Sequence, residues 1–169
     1  MICPTCGTLN LPGADWCRWC QFALMAVDRP EPQDRVDRSL MLDLVTVLNP
    51  KSPATLPVGA SLREALTLMA ARDVGAVLVV GEDGSLVGIL TERDFLNKVA
   101  GRTGLGPSAV AQIMTRHPET VTPRDTLAFA LGKMAGGNYR HVPVVDGGKP
   151  VGLISVRDVL RHVVKLCSE

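Results

Sequence analysis

The chain has 169 residues, 46% of them hydrophobic, and a formal net charge of +1. That is room for one ordinary domain plus a small appendage, in a globular chain rather than a disordered one. So even a charge balance, with no Lys/Arg run, argues against nucleic acid or an acidic membrane surface as a partner. Aromatics make up only 4%, so the core must come from Val, Leu, Ala and Met.

The opening Met1-Ile2-Cys3-Pro4 has neither the charged nor the apolar region of a signal peptide. Every apolar run is broken before the roughly 18 residues that a bilayer span needs. No membrane role is expected. Cys3-Pro4-Thr5-Cys6-Gly7 and Cys17-Arg18-Trp19-Cys20 form two Cys-x-x-Cys knuckles with ten residues between them. A disulfide across so short a gap would be strained, and a reducing cytosol would undo it, so the thiols read as metal ligands in a cytoplasmic protein. Cys3, Cys6, Cys17 and Cys20 together can complete a tetrahedral shell around one ion.

Residues 1–26 resemble the short zinc ribbons that open on Cys-Pro-x-Cys-Gly and close on Cys-x-x-Cys. Gln21 stands where such ribbons often carry a second Gly, at an expected cost in local strain. Four thiolates leave no open position, which makes Zn2+ structural here, and the metal would supply folding free energy that so few residues lack. Iron held as in rubredoxin and unligated surface cysteines are the alternatives. Trp16 and Trp19 either cover the ribbon's core, dock it on the main domain, or form a recognition surface.

Residues 27–39 are polar, alternately charged and carry two prolines, and read as an extended, partly stiff linker. From Leu40 to Leu48 the chain turns apolar and enters the main domain as a short helix or strand.

That domain is an internal repeat. A shift of about 65 residues lays Thr55 on Thr120, Leu62 on Leu127, Met69-Ala70 on Met134-Ala135 and Val77 on Val142. One residue drops out in the next turn, after which Val87-Gly88 meets Val151-Gly152 and Arg93-Asp94 meets Arg157-Asp158. Ser61-Leu62-Arg63-Glu64 is a capping box, and Leu62, Ala65, Leu66 and Met69 form a helical stripe. Thr126 caps the second copy of that helix. Valine-rich strands follow, at Ala76 to Val80 and Val142 to Val145. Asp83-Gly84, or Gly147-Gly148, turns the chain into second strands at Leu86 to Leu90 and Pro150 to Ile154. Thr91 and Ser155 then cap closing helices. The class is α+β: two β-α-β-β-α units related by a pseudo-twofold axis, with the ribbon appended.

Ser61-Leu62-Arg63-Glu64-Ala65-Leu66, Tyr139-Arg140-His141-Val142-Pro143-Val144-Val145-Asp146 and Val151-Gly152-Leu153-Ile154-Ser155-Val156-Arg157-Asp158 resemble tandem CBS domains. The resemblance divides the chain into a first copy at 40–105 and a second at 106–169. It implies two clefts, which in many relatives take an adenine nucleotide (AMP, ADP, ATP) or S-adenosylmethionine. On the family pattern Thr91, Arg93 and Asp94 face Thr120, Val121, Arg140, His141 and Val142. Ser155, Arg157 and Asp158 face Thr55, Leu56 and Ala76. A hydroxyl and amides at a helix start suit a phosphate, and the Asp three residues on suits ribose hydroxyls. Arg140-His141 offers a phosphate donors that Gly75-Ala76 does not, so tighter phosphate binding is expected at Asp94. Thr/Ser-x-x-Asp is equally an ordinary capping box, kept for helix initiation alone.

No catalytic constellation is legible: His117, His141 and His162 stand in unrelated contexts, and Cys167 is isolated near the end. The expectation is a non-enzymatic sensor of an adenosyl ligand that homodimerises and contacts a protein partner. The rival is a ligand-free dimeric adaptor whose ribbon grips protein or nucleic acid.

Overall fold

A computed structural model describes residues 3, 5–10, 14–24, 32, 34–98 and 109–168. The chain divides into two compact units, Met1–Gln33 and Asp34–Glu169.

In the first unit the two knuckles adopt one geometry. The Gly7 N–H donates to Cys3 O (2.9 Å) and the Gln21 N–H to Cys17 O (3.0 Å). Both turns need a positive φ, supplied by Gly7 (+70°) and by Gln21 (+57°), the latter at a steric cost glycine avoids. Cys3, Cys17 and Leu24 form the small core, with Ala14 against it. Trp16 and Trp19 are 42% and 79% exposed, while Leu24 is buried within that core.

The second unit begins on helix α1 (Arg35–Leu42), capped by Asp34, whose Oδ1 accepts from the Asp37 N–H at 2.8 Å. The stretch read as an extended linker therefore includes the first turns of a helix. A 3-10 turn, Val45–Leu48, follows. The first copy then runs β1 (Thr55–Pro57), α2 (Leu62–Arg72), β2 (Ala76–Val80), β3 (Leu86–Thr91) and α3 (Glu92–Lys98). After a second 3-10 turn, Val110–Gln112, come β4 (Thr115–Arg116), α4 (Leu127–Gly137), β5 (His141–Asp146), β6 (Lys149–Ser155) and α5 (Val156–Ser168).

One sheet has the order β1-β2-β3-β4, with β1 parallel to β2 and the other pairs antiparallel. The other is the β5-β6 hairpin, joined by a single parallel bridge between Val121 and Val144. That bridge is all that stands where the first copy has β1. At the next residue the Thr122 N–H donates to Asp125 Oδ2 (2.6 Å), so the chain turns instead of continuing a ladder. The hairpins match closely: each slips register at the same step, Val79/Val80 and Val144/Val145. Ala76, Leu78 and Ile89 of the first sheet pack together with Leu86 and with Leu153 of the second.

Each copy's core is completed by the segment that precedes the other copy. Val45 is buried among Val121, Leu127, Ala130, Met134 and Val142 of the second copy, while Val110, Ile113 and Met114 are buried among Leu62, Ala65, Val77 and Leu90 of the first. Backbone bonds fix the exchange: Val45 N–H to Asp125 O at 2.8 Å, and Val110 N–H to Ala60 O at 2.9 Å. Glycines make room for it. A Cβ at Gly88 would strike Met114 Sδ, and one at Gly152 would lie 2.7 Å from Pro50 Cβ.

Candidate functional site

The site is built where β3 meets α3. Thr91 and Asp94 bind reciprocally: the Thr91 N–H and Oγ1 donate to Asp94 Oδ2 at 3.0 and 2.7 Å, and the Asp94 N–H donates to Thr91 Oγ1 at 3.3 Å. Ser155 and Asp158 repeat the pattern at 2.8, 2.6 and 3.3 Å. Both are capping boxes. The remaining carboxylate oxygen differs: Asp94 Oδ1 accepts from Thr115 Oγ1 at 3.4 Å, Asp158 Oδ1 from Arg161 at 3.0 Å.

Beside Asp94 lies a cavity of about 390 Å³, within the range of small-ligand pockets. Of the residues expected there, Thr91, Arg93, Asp94, Arg140 and His141 line it. Thr120, Val121 and Val142 do not; Val121 and Val142 are buried in the second core, which leaves only their backbone for any role. Of the second set, Ser155 and Asp158 are half-buried and Arg157 is exposed at the start of α5. Thr55 is exposed, Leu56 packs on the first core, and Ala76 is buried between the sheets.

Nine of the fourteen residues of the cavity wall lie outside the expected set. Gly75, Ile89 and Glu92 come from the first copy, Thr115, His117, Pro118 and Glu119 from the entry to the second, and Gly137 and Tyr139 from the end of α4. The entry residues arrive there because β4 pairs with β3, Ile89 opposite Thr115. Gly137 is required by Tyr139, whose ring a Cβ at 137 would strike. Arg93 crosses between copies, donating to the Asn138 carbonyl at 2.7 Å.

Charge in the cavity is mixed. Burial pushes His141 below its ordinary value, Glu92 opposes that, and Arg140 adds to it. Burial, then Glu119, raises Tyr139. Glu119 is itself held by Lys133 at 2.6 Å.

In the ribbon, the sulfurs of Cys3, Cys6, Cys17 and Cys20 all lie within 4.8 Å of one another. Cys3–Cys20 and Cys6–Cys17 are 3.6 and 3.5 Å apart. A tetrahedron with metal–sulfur bonds near 2.3 Å has edges of about 3.8 Å, so the donor set fits. At Cys17 burial raises the thiol, but the Cys20 and Trp19 amides, Cys6 and Asn10 outweigh it and bring the pKa down to about 6. At Cys20 the Phe22 amide lowers the thiol, but burial and the other three cysteines push it up to about 12. Four such neighbours cannot all ionise without a cation among them. Asn10, buried and unforeseen, ties the knuckles together: its Nδ2 donates to Thr8 O (2.8 Å) and Cys17 Sγ (3.6 Å), and its Oδ1 accepts from the Arg18 N–H (2.9 Å).

One constellation appears that motif context did not suggest. Ser39 Oγ donates to Asp43 Oδ2 at 2.5 Å and lies 2.7 Å from His162 Nε2. With the hydroxyl proton on Asp43, the ring N–H donates to Ser39, the reverse of what an activated serine needs. The cluster clamps α1 to α5.

A duplicated α+β unit with a cavity between its copies defines a tandem-repeat module. The CBS domain family description matches residues 46–101 and 110–165. The chain belongs to the CBS-domain family, as a tandem pair. It is 41% identical over 112 residues to the CBS domain-containing protein CBSCBSPB5 of Arabidopsis thaliana, a match covering 65% of this chain and 20% of that one. The chain thus spans about a fifth of the length of that relative. Among solved structures it resembles the CBS domain protein PAE2072 of Pyrobaculum aerophilum complexed with AMP, with 32% identity, TM-score 0.64, and 72% of this chain and 98% of that one covered. It also resembles the CBS domain pair of MJ0100 in complex with 5'-methylthioadenosine and S-adenosyl-L-methionine, with 28% identity, TM-score 0.66, and coverage of 72% and 96%. Among the described residues no helix is long and apolar enough to cross a membrane.

Proposed function

We propose that this chain is a regulatory module that takes an adenosyl ligand in the cleft at Asp94 and carries a structural Zn2+ in its ribbon. The cavity carries the reading: it joins the strand-end Thr91 and Asp94 of one copy to Arg140 and His141 of the other. AMP and S-adenosylmethionine in the two similar structures point to the same ligand class. Asp94 would hold ribose hydroxyls, and Arg140, with His141, a phosphate. A ligand touching both copies can bias their packing, provided it binds two arrangements unequally. No catalytic step is assigned. Cys3, Cys6, Cys17 and Cys20 would hold the zinc, whose contribution is to fold the ribbon, and their reduced thiols suit the cytoplasm.

Leu96 on α3 (63% exposed) and Leu160 and Val164 on α5 (57% and 64%) are apolar side chains left open at the surface, and we assign them to a homodimer contact. The adaptor reading is favoured by one observation, the exposed Leu9, Trp16 and Trp19 of the ribbon, a surface suited to a protein partner. A thermal-shift series with AMP, ADP, ATP and S-adenosylmethionine separates the two. A shift that disappears in Asp94→Ala supports the sensor; silence with all four ligands supports the adaptor.

A further inference from the structure

Glu92 has a position that the ligand-binding reading does not use. It is the first residue of α3, its N–H donates to Gly75 O at 3.1 Å, and its carboxylate lies flat on Gly75, 3.2 Å from where a Cβ would stand. A Cβ at 75 would push the carboxylate aside by a few tenths of an ångström, so the glycine lets it lie in that place. Glu92 lines the cavity and reaches His141 electrostatically across it.

The charges around it are closely balanced. The lining carries Glu92, Asp94 and Glu119 against Arg93 and Arg140, and Lys133 offsets Glu119. Burial disfavours the charged form of His141, so it adds little to the positive side. One phosphate can be met by Arg140 and its neighbours. A chain of three would bring more negative charge than the two arginines can balance, with a carboxylate already in the space.

Resting on the assignment of an adenosyl ligand to this cleft, we infer that Glu92 is a specificity-determining residue that restricts the cleft to ligands bearing at most one phosphate. The second copy has Val156 at the matching step, its N–H donating to Arg140 O at 3.0 Å in the same way, so the fold does not require the acid. Glu92 is a choice of charge.

The test is calorimetric titration of the zinc-loaded full chain and of Glu92→Gln with AMP, ATP and S-adenosylmethionine. The wild type should bind AMP at least tenfold more tightly than ATP. In Glu92→Gln the ATP affinity should rise on the order of tenfold, the AMP affinity by less, and S-adenosylmethionine, a cation, should not gain. High salt should narrow the wild-type gap. Equal AMP and ATP affinity in the wild type, or an unchanged ratio in Glu92→Gln, overturns the role of Glu92 while leaving the cleft intact. No binding of any of the three to either protein overturns the cleft itself, and the gate with it. Glu92→Val, which copies the second repeat, should behave like Glu92→Gln and guards against an effect of the amide.

Discussion

Glu92 and Val156 stand at the same step of the repeat, each just after a strand-ending hydroxyl and each hydrogen-bonded to a carbonyl of the preceding loop. Around them the backbone repeats even its register slips. The side chains do not repeat. Gly75 answers Arg140, Ala76 answers His141, and Val74 answers Tyr139. Packing constrains the strands, helices and caps of both copies alike, because each supports the other. Tyr139, Arg140 and His141 face the cleft, whereas the matching Val74 and Ala76 pack in the first copy. One scaffold thus offers two chemically distinct faces, and only one of them gathers arginine, histidine and tyrosine.

The largest way to break the symmetry is through the exchanged segments. Val45 is buried in the second core and Val110 in the first. Val45→Asp should destabilise the second copy by about 4 kcal/mol or more, since the carboxylate would meet no partner there. Hydrogen exchange should show α4 and β5 losing protection before β2 and β3. Val110→Asp should reverse that order. If both variants expose the same copy first, the two cores are not completed crosswise.

The next effect is expected at the paired aspartates. Asp94→Ala and Asp158→Ala each remove a capping box, at about 1 kcal/mol by denaturant unfolding. Only Asp94→Ala should also abolish AMP binding by calorimetry, because only Asp94 stands against Arg140 and His141 in the described cavity. Equal losses of affinity in the two variants would mean that the copies share one function.

A smaller effect distinguishes the two knuckles of the ribbon. Gly7 and Gln21 do the same job at φ +70° and +57°. Gln21→Gly should stabilise the ribbon by about 1 kcal/mol, seen as resistance to a chelator followed through Trp fluorescence. An unchanged chelation midpoint would show that the residue is not strained.

What could be read from the sequence was whatever the repeat states twice. The capping box at Ser61, the strand from Ala76 to Val80 and the Thr91 and Asp94 pairing each follow from residues within a few positions of one another. The crosswise exchange was not legible, because the stretches around Val45 and Val110 are similarly apolar and nothing local says which core receives them. The start of α1 was hidden for another reason. Its polar composition resembles a linker, and the Asp34 cap, the buried Ser39 and Leu40 on the second core give it helical standing. Glu92, Glu119, Tyr139 and Asn10 stand at positions to which no spacing rule assigns a role.

The smallest effect expected is a slope in pH. Burial holds His141 below its ordinary value of 6.5, with Glu92 opposing and Arg140 assisting. Within that window the unfolded chain binds the proton that the folded chain refuses, so stability present above 6.5 is lost as the pH falls toward the folded value. His141→Gln should flatten this limb of a urea-midpoint profile. Ala76, the matching residue, has no proton to contribute, so the slope belongs to one copy alone. A bound phosphate should act against it, since an imidazolium facing an anion is favoured: AMP affinity should rise over the same interval in which the empty protein weakens. If stability and affinity instead fall together below pH 6.5, His141 does not face the phosphate, and the asymmetry of the copies must rest on Arg140 and Glu92.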